Sequence, residues 1–400
     1  MKARKILFIA WDAPHTRYLE GLFAPIFEKL AQLHHYEIHV MQFSWAQQRE
    51  VDRLKNLCEA KGLYYVHVPV VIKPHPFIGK YITLLRGSSI IKRYISLHKI
   101  DIVMPRSTMP AKMLLSLSDK DRSFKIVFDA DGLPIEERVD FAGLKKGSMR
   151  YRALKRIERK TLYLADRVLT RTQRAVDLLR TQHGVERKKF FIVENGRDPQ
   201  QFRRQNTARI NSIKQKLSIP AAALVLVYCG SLGPQYGIDE MLCIQKHLID
   251  RGCLSYLLLI ATNPGYVENG AILNVPNVIV IQVSFQEVPD YLSVADIGLA
   301  IRQPSFSMQG VAPVKLGEYL LMGLPTIAST GIGDTAEMLA EKDFVFLLPD
   351  HQPDALTNAA GWVVRVAKKE DMKVAARQFG EQYFGLGAAV ESYHHALRDL

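Results

Sequence analysis

Two charged residues lie one helical turn apart in the mostly apolar stretch 312–329. Lys315 and Glu318 follow Pro313, a residue suited to the first turn of a helix. Residues three apart share a helix face, so both side chains should point the same way. They could form a plain surface ion pair worth roughly 0.2–0.5 kcal/mol. Alternatively, the glutamate accepts hydrogen bonds from a ribose diol and the lysine neutralises a diphosphate, aided by the helix dipole.

A glycine-rich turn is the second candidate site. Residues 228–237 read Tyr-Cys-Gly-Ser-Leu-Gly-Pro-Gln-Tyr-Gly, between an apolar run and a helical pattern that starts near Asp239. Backbone N–H groups in such a turn can approach a phosphate at the positive end of a helix. The glycine spacing is not that of the dinucleotide motif, and a simple tight turn also fits. The candidate phosphate-binding residues are Gly230, Ser231, Leu232, Gly233 and Tyr236.

Charged residues also end strand-like runs in the first half of the chain. Arg106 could hold a phosphate bidentately or form a structural salt bridge. Asp129 and Asp131 form an Asp-x-Asp pair that could hold a divalent ion beside a diphosphate. Asp131 precedes a glycine and equally suits a tight turn. His15, after the first strand-like run, is a weaker candidate for contact with a substrate.

The elements that must position these residues are short, continuous apolar runs that alternate with helical patterns. Continuous runs indicate strands covered on both faces, and this alternation favours βαβ units with parallel sheets. The sequence therefore predicts an α/β protein with two doubly wound, Rossmann-like domains. The predicted strands are residues 6–10, 36–43, 64–69, 101–105, 124–129, 167–171, 190–194, 224–229, 256–261, 278–283, 297–301, 325–329 and 344–347.

The domain boundary is predicted from a polar stretch, residues 200–216, that separates the two sets of strands. We expect an N-terminal domain over 1–200 and a C-terminal domain over 201–385. Residues 386–400 should form a helix that packs back across the hinge. Doubly wound sheets bind ligands outside the carboxyl ends of their strands, so the cleft between the domains is the expected site.

Composition agrees with a two-domain globular protein. The chain has 400 residues, of which 48% are hydrophobic and 23% charged. Apolar runs fall well short of the ~20 residues that span a bilayer, and the first run is too short for a signal-peptide core. The four cysteines, Cys58, Cys229, Cys243 and Cys253, lack CxxC spacing. They predict reduced thiols and a cytoplasmic location.

The net charge of +13 is concentrated in the first half of the chain. Residues 141–190 hold fifteen Lys/Arg against four Asp/Glu, and residues 60–100 hold seven Lys/Arg and no acid. Such a surface suits a polyanionic partner, although a solvated helix face would look similar. Residues 73–86 mix cations with aliphatic and aromatic residues, which favours a helix lying on anionic lipid over a buried crossover helix. No nucleic-acid module signature is present, so no nucleic-acid partner is expected.

Three segments in order resemble the family 4 glycosyltransferases, the retaining GT-B class. Val193-Glu-Asn-Gly-Arg-Asp198 resembles the family's Asn-Gly-Val-Asp signature. Tyr228-Cys-Gly-Ser-Leu-Gly-Pro-Gln-Tyr-Gly237 resembles its Gly-Arg-Leu-x-x-x-Lys-Gly loop. Pro313-Val-Lys-Leu-Gly-Glu-Tyr-Leu-Leu-Met-Gly-Leu-Pro325 resembles its donor helix and the turn that ends it.

The chain departs from the family pattern at charged positions. The family's phosphate-binding arginine and lysine fall on Ser231 and Tyr236, and its first glutamate falls on Gly310. Glu318 matches the second glutamate. Lys315 is then the nearby cation best able to replace the lost phosphate contacts.

The resemblance implies a metal-independent hexosyltransferase without a cofactor, with a nucleotide-diphosphate sugar as donor and a lipid-linked or polysaccharide acceptor. Asp131, Arg106 and Glu318 would be catalytic, and His15 and Asp129 would face the acceptor. The other donor-binding residues would be Gly230, Ser231, Leu232, Gly233, Tyr236, Val283, Ser284, Lys315 and Leu316, with the base at Val283 and Ser284. The protein would associate peripherally with the inner face of the membrane. Two alternatives stay open: a catalytically silent nucleotide-sugar-binding subunit and a sugar-nucleotide epimerase.

Overall fold

The computed structural model describes residues 3–14, 16–73, 75–117, 122–261 and 275–400. The chain divides into two compact units, each built around its own parallel sheet. The first unit comprises Met1–Glu194, Gln309–Val311 and Ala389–Leu400, and the second comprises Asn195–Met308 and Ala312–Ala388.

The first unit contains a seven-stranded parallel sheet of order β3-β2-β1-β4-β5-β6-β7. The order reverses between β1 and β4, as in doubly wound folds. Its strands are β1 (Arg4–Asp12), β2 (Tyr36–Ser44), β3 (Tyr64–Pro69), β4 (Ile102–Pro105), β5 (Lys125–Asp129), β6 (Arg167–Thr170) and β7 (Phe190–Ile192). Its helices are α1 (Ala24–His34), α2 (Gln48–Ala60), α3 (Pro76–His98), α4 (Thr108–Leu115), α5 (Pro134–Phe141), α6 (Met149–Leu164) and α7 (Gln173–His183).

The second unit contains a six-stranded parallel sheet, with the strand order reversing between β8 and β11. Its strands are β8 (Leu224–Gly230), β9 (Ser255–Ala261), β10 (Val278–Ile281), β11 (Ile297–Ala300), β12 (Thr326–Ser329) and β13 (Val345–Leu348). Its helices are α8 (Thr207–Lys216), α9 (Ile238–Asp250), α10 (Val288–Leu292), α11 (Val314–Leu321), α12 (Thr335–Leu339), α13 (Pro353–Val366) and α14 (Glu370–Phe384). A last helix, α15 (Leu386–Leu397), ends in the part of the chain that belongs to the first unit.

Every strand predicted from the sequence is confirmed within the described ranges, with ends shifted by at most two residues. At the centre of the second sheet the reason is burial on both faces: all seven residues of β8 and all four of β11 are buried. The last helix is buried along one face, where Val390, Tyr393 and Leu397 are each at most 1% exposed. Across the described ranges, no helix is both long and apolar enough to cross a membrane.

Several candidate site residues of both units lie at or just beyond the carboxyl ends of strands. In the first unit β1 ends at Asp12, and Arg106 directly follows β4. In the second unit β8 ends at Gly230, and Arg302 lies two residues beyond β11. Because the carboxyl ends of parallel strands lie on one edge of a sheet, these candidate ligand-binding residues of each unit lie at one edge of its sheet.

Candidate functional site

The glycine loop of the second unit is shaped around the side chain of Lys315. Gly230 ends β8 with a φ of +148°. A Cβ atom built on Gly230 would lie 1.9 Å from Cε and 2.1 Å from Nζ of Lys315. Only a glycine therefore leaves room for this lysine, which extends from the first turn of α11 across the end of the strand.

Two cations approach the same aromatic ring beside this loop. Lys315 Nζ lies 5.3 Å from the ring centre of Tyr236, and the Arg302 guanidinium lies 5.0 Å from it. Lys315 Nζ is also 5.7 Å from the ring of Tyr228. Neither cation forms an ion pair with any carboxylate in the described part of the chain. This uncompensated positive charge suits an anion that arrives from solution.

Backbone contacts fix the loop that carries the two tyrosines. Tyr236 and Arg302 form an antiparallel bridge, and Tyr236 N–H donates to Gly233 O at 3.0 Å. The Tyr228 hydroxyl donates to Ser231 O at 2.5 Å. Burial raises the pKa of Tyr228 well above its usual value, so this hydroxyl keeps its proton and remains a donor. The loop is therefore held in place before any ligand arrives.

Glu318 does not pair with Lys315, the first alternative considered from the sequence. Its Oε1 instead accepts a hydrogen bond from Arg197 Nε at 2.7 Å. Glu318 is 6% exposed, and such a buried carboxylate needs a charged partner. Arg197 was not predicted from the sequence. The available signal was an arginine where the family signature has a valine.

The remaining residues predicted to bind the donor lie in the same unit. The Ser284 hydroxyl and N–H both donate to Glu287 Oε2, at 2.7 and 3.1 Å, while Val283 packs against the core. Leu316 and Leu232 are 1% and 3% exposed. Their side chains fill the core, so any contact they make with a ligand must come from the backbone.

The first unit brings Arg106 next to two of its acids. Arg106 Nη2 is 2.6 Å from Asp131 Oδ2, and Nη1 is 4.0 Å from Asp12 Oδ1. The guanidinium also lies 4.9 Å from the ring centre of Tyr18. The Asp131 side chain is 30% exposed, whereas that of Arg106 is 11% exposed. Asp131 is therefore the member of this pair that solvent or a substrate can reach.

Asp129 forms a second, deeper ion pair. Its Oδ2 accepts from Arg171 Nη2 at 2.9 Å, and the same nitrogen lies 3.2 Å from the Tyr393 hydroxyl. Asp129 is fully buried. Asp129 and Asp131 thus each pair with a different arginine, and the described residues contain no group of three or more His, Cys, Asp or Glu side chains arranged to hold a metal ion.

Asp12 is a buried acid that the sequence did not single out. It accepts a hydrogen bond from Gln42 Nε2 at 2.8 Å, and Gln42 in turn accepts from the Tyr65 hydroxyl at 2.7 Å. Burial raises the pKa of Asp12, although Gln42 and Arg106 oppose the shift. His15, predicted to lie nearby, falls outside the described residues.

Gly310 occupies a position without room for a side chain. A Cβ atom built on it would lie 2.8 Å from both the backbone nitrogen and Cγ of Leu133. The facing residue, Gly132, has a φ of +75° and would place its own Cβ 2.4 Å from Gly310 O. The glutamate that the family carries here is therefore excluded by packing in this chain.

Comparison with known proteins defines the class. The sequence profile described as Glycosyltransferase Family 4 matches residues 26–201, and the one described as Glycosyl transferases group 1 matches residues 223–365. The two parallel, Rossmann-like sheets are those of the GT-B fold. The chain belongs to the family 4 and group 1 glycosyltransferases of this fold.

Individual relatives are distant. TuaH of Bacillus subtilis (strain 168), assigned as a teichuronic acid biosynthesis glycosyltransferase, is 29% identical over 171 residues. The match covers 42% of this chain and only 41% of TuaH. Sucrose-phosphate synthase from Thermosynechococcus elongatus has a TM-score of 0.73 at 15% identity, over 99% of this chain and 98% of that one. Anabaena HepE in complex with UDP-glucose has a TM-score of 0.70 at 15% identity, over 99% and 100% of the two chains.

Proposed function

We propose that the protein is a glycosyltransferase that moves a sugar from a nucleotide-diphosphate donor, with retention and without a metal ion, onto a lipid-linked or polysaccharide acceptor. The observation that carries this proposal is the pair of cations without carboxylate partners, Lys315 and Arg302, beside the glycine loop. A diphosphate is the anion that fits such a loop at the carboxyl end of a parallel strand.

In this proposal the second unit binds the donor. Lys315 and Arg302 hold the diphosphate and stabilise the negative charge that develops on it as the glycosidic bond breaks. They replace the two loop cations that the family has and this chain lacks. Glu318 accepts hydrogen bonds from the ribose, and the backbone at Val283 and Ser284 meets the base. The UDP-glucose bound in the HepE structure supports this class of donor.

The first unit supplies the polar groups for the sugar and the acceptor. Asp131, partly exposed and held by Arg106, is the accessible carboxylate. It would accept hydrogen bonds from hydroxyls of the sugar, whose anomeric carbon and ring oxygen develop positive character in the transition state. Asp12 and Arg171 would act through their neighbours, because both are at most 6% exposed.

The function is tested with purified protein and a panel of UDP-, GDP- and dTDP-sugars. One donor should give slow hydrolysis, with the released sugar showing the donor's anomeric configuration by NMR before mutarotation. Addition of EDTA should leave the rate unchanged. Glu318→Ala should weaken donor binding, whereas Glu370→Ala, an exposed acid of the same unit, should not.

Gly310 favours one second candidate, a catalytically silent nucleotide-sugar-binding subunit, because the family's first glutamate has no room there. Donor binding without hydrolysis or transfer would support that role. Release of a sugar epimeric with that of the donor, without need of an acceptor, would instead indicate an epimerase. Absence of binding to every nucleotide sugar would contradict all three.

A membrane-linked acceptor is supported by the surface of α3. Ile78, Tyr81 and Leu85 are each at least 51% exposed and follow i, i+3, i+7 spacing, so they share one face. Arg86 and Arg93 lie exposed farther along the helix. An apolar face with cations is typical of helices that lie on anionic lipid.

Liposome flotation tests this surface. Binding should require phosphatidylglycerol and decrease when Leu85 is changed to Glu. The matched control is Leu33→Glu on α1, because Leu33 and Leu85 are both 61% exposed. Equal flotation with neutral vesicles would contradict the membrane role.

A further inference from the structure

Arg197 is a charged residue at a place where packing alone would favour an apolar one. The Arg197 and Glu318 side chains are 11% and 7% exposed, and Nε and Oε1 are 2.7 Å apart. The guanidinium lies 5.5 Å from the ring centre of Phe285. Removing two charges from water is costly even when they pair closely, and an apolar pair would often be as stable. A functional role would explain why this position holds an arginine.

The backbone around Arg197 is fixed on both sides. Its N–H donates to Phe384 O at 2.9 Å, and its carbonyl accepts from Leu386 N–H at 2.8 Å. Phe384 in turn packs against α11, because a Cβ atom built on Gly317 would lie 2.8 Å from it. The backbone of Arg197 is therefore held in one position, and this position places its guanidinium next to Glu318.

The geometry leaves one side of the Glu318 carboxylate available. Oε1 accepts from Arg197, whereas Oε2 has no hydrogen-bond partner among the residues the structure describes. A carboxylate fixed through one oxygen presents the other at a defined position, which is the requirement for a directional contact with a ligand hydroxyl.

We infer that Arg197 is a positioning residue that orients Glu318 and thereby makes the donor site select nucleotides with a complete ribose diol. This inference rests on the proposed donor site, in which Glu318 meets the ribose. Arg197 itself need not touch the ligand. Without it, Glu318 is free to rotate and to take its hydrogen bonds from water, so the removal of one ribose hydroxyl should matter less.

The test compares binding of UDP and 2′-deoxy-UDP by calorimetry. A hydrogen bond to a charged group is worth roughly tenfold or more in affinity, so the wild-type protein should prefer UDP by about that factor. Arg197→Met should reduce the preference to about twofold or less. Arg197→Lys, which keeps the charge but not the planar Nε–H, should restore it in part. Arg209→Met, an exposed arginine of the same unit, is the control.

A purely structural role would give a different pattern. In that case the Arg197 variants would lower the melting temperature and weaken both nucleotides equally, with the preference for UDP unchanged, and the inference would be overturned. If Arg197→Met does not fold, the same comparison is made with Arg197→Lys. If the wild-type protein binds GDP rather than UDP, the comparison is made with GDP and 2′-deoxy-GDP. Absence of binding to either nucleotide contradicts the donor site itself, so the two failures are distinguishable.

Discussion

The charged residues at the strand ends of the two units are organised in opposite ways. In the first unit, Arg171 pairs with Asp129 at 2.9 Å and Arg106 pairs with Asp131 at 2.6 Å. In the second unit, Lys315 and Arg302 approach one tyrosine ring and have no carboxylate partner among the described residues. At these strand ends the first unit pairs its arginines with carboxylates, and the second unit leaves two cations without a carboxylate partner among the described residues.

The buried Arg171–Asp129 pair is expected to hold the structure, whereas the partly exposed Lys315 and Arg302 are expected to bind a ligand. A buried arginine must keep its carboxylate, since loss of either partner leaves an unpaired charge in a low-dielectric interior. Leaving a partly exposed cation unpaired costs the fold little stability, because water solvates the charge. The two regions should therefore respond differently to the same kind of substitution.

The largest effect is expected from Asp129→Ala in the first unit. Removing one partner of a buried ion pair costs about 3–5 kcal/mol, because Arg171 would remain buried and charged. Thermal unfolding should show a strongly lowered melting temperature. The control is Asp177→Ala, whose exposed pair with Arg180 should contribute little. Equal melting temperatures for the two variants would contradict the structural role of Asp129.

Lys315→Ala should reverse that pattern. We expect donor turnover to fall about 100-fold, since the proposed role of the lysine is to stabilise charge that develops on the diphosphate. Stability should stay unchanged, because no ion pair is lost. Kinetics with the preferred donor and a melting curve measure both effects. Lys246→Ala, a 74% exposed lysine on α9, should leave the turnover as it is.

Arg302→Ala should have a smaller effect on the same site. The guanidinium adds charge beside the loop, so UDP affinity should fall about tenfold, or ~1.4 kcal/mol. The dependence of UDP affinity on salt should also become weaker, because fewer cations take part. Titrations at low and high sodium chloride test this. An unchanged affinity would indicate that Lys315 acts without Arg302.

The smallest effect on stability is expected from Glu240, a carboxylate of the second unit that, unlike Lys315 and Arg302, has charged or polar partners. His351 and Gln303 donate to its carboxylate, and mainly the His351 contact lowers its pKa from 4.5 to about 2. A carboxyl with a lowered pKa stabilises the fold above pH 4.5, and this contribution disappears as the pH falls from 4.5 to 2. Glu240→Gln should lower the unfolding free energy at pH 7 by at most about 1 kcal/mol.

Denaturant titrations between pH 7 and pH 3 test that prediction. The difference between wild type and Glu240→Gln should shrink as the pH falls from about 4.5 toward 3. A difference that grows toward low pH would contradict the assigned pairing.

The strands were predictable because burial on both faces leaves continuous apolar runs. The same hydrophobic pattern identified Gly230 and Lys315 as candidates, since Gly230 lies at the end of a predicted strand and Lys315 at the start of a predicted helix. Arg302 was within reach of the same logic, because it follows β11 closely. Lys315 was the one replacement for the missing loop cations that was expected from the sequence.

Arg197 and Arg171 could not be predicted in the same way. Their roles depend on partners far along the chain, Glu318 and Asp129, and on which way each side chain points. The alternative of a Lys315–Glu318 pair was reasonable from helix spacing alone. It failed because a buried carboxylate takes the partner that tertiary packing offers, and local spacing does not reveal that partner.

The central claim is that Lys315 and Arg302 form the diphosphate site. Its most direct test is a calorimetric comparison of UDP and uridine with the wild-type protein and with the Lys315→Ala, Arg302→Ala double variant. The account predicts that the wild-type protein binds UDP at least 100-fold more tightly than uridine, about 2.7 kcal/mol. The double variant should lose most of that preference. An undiminished preference for UDP in the double variant would contradict the account.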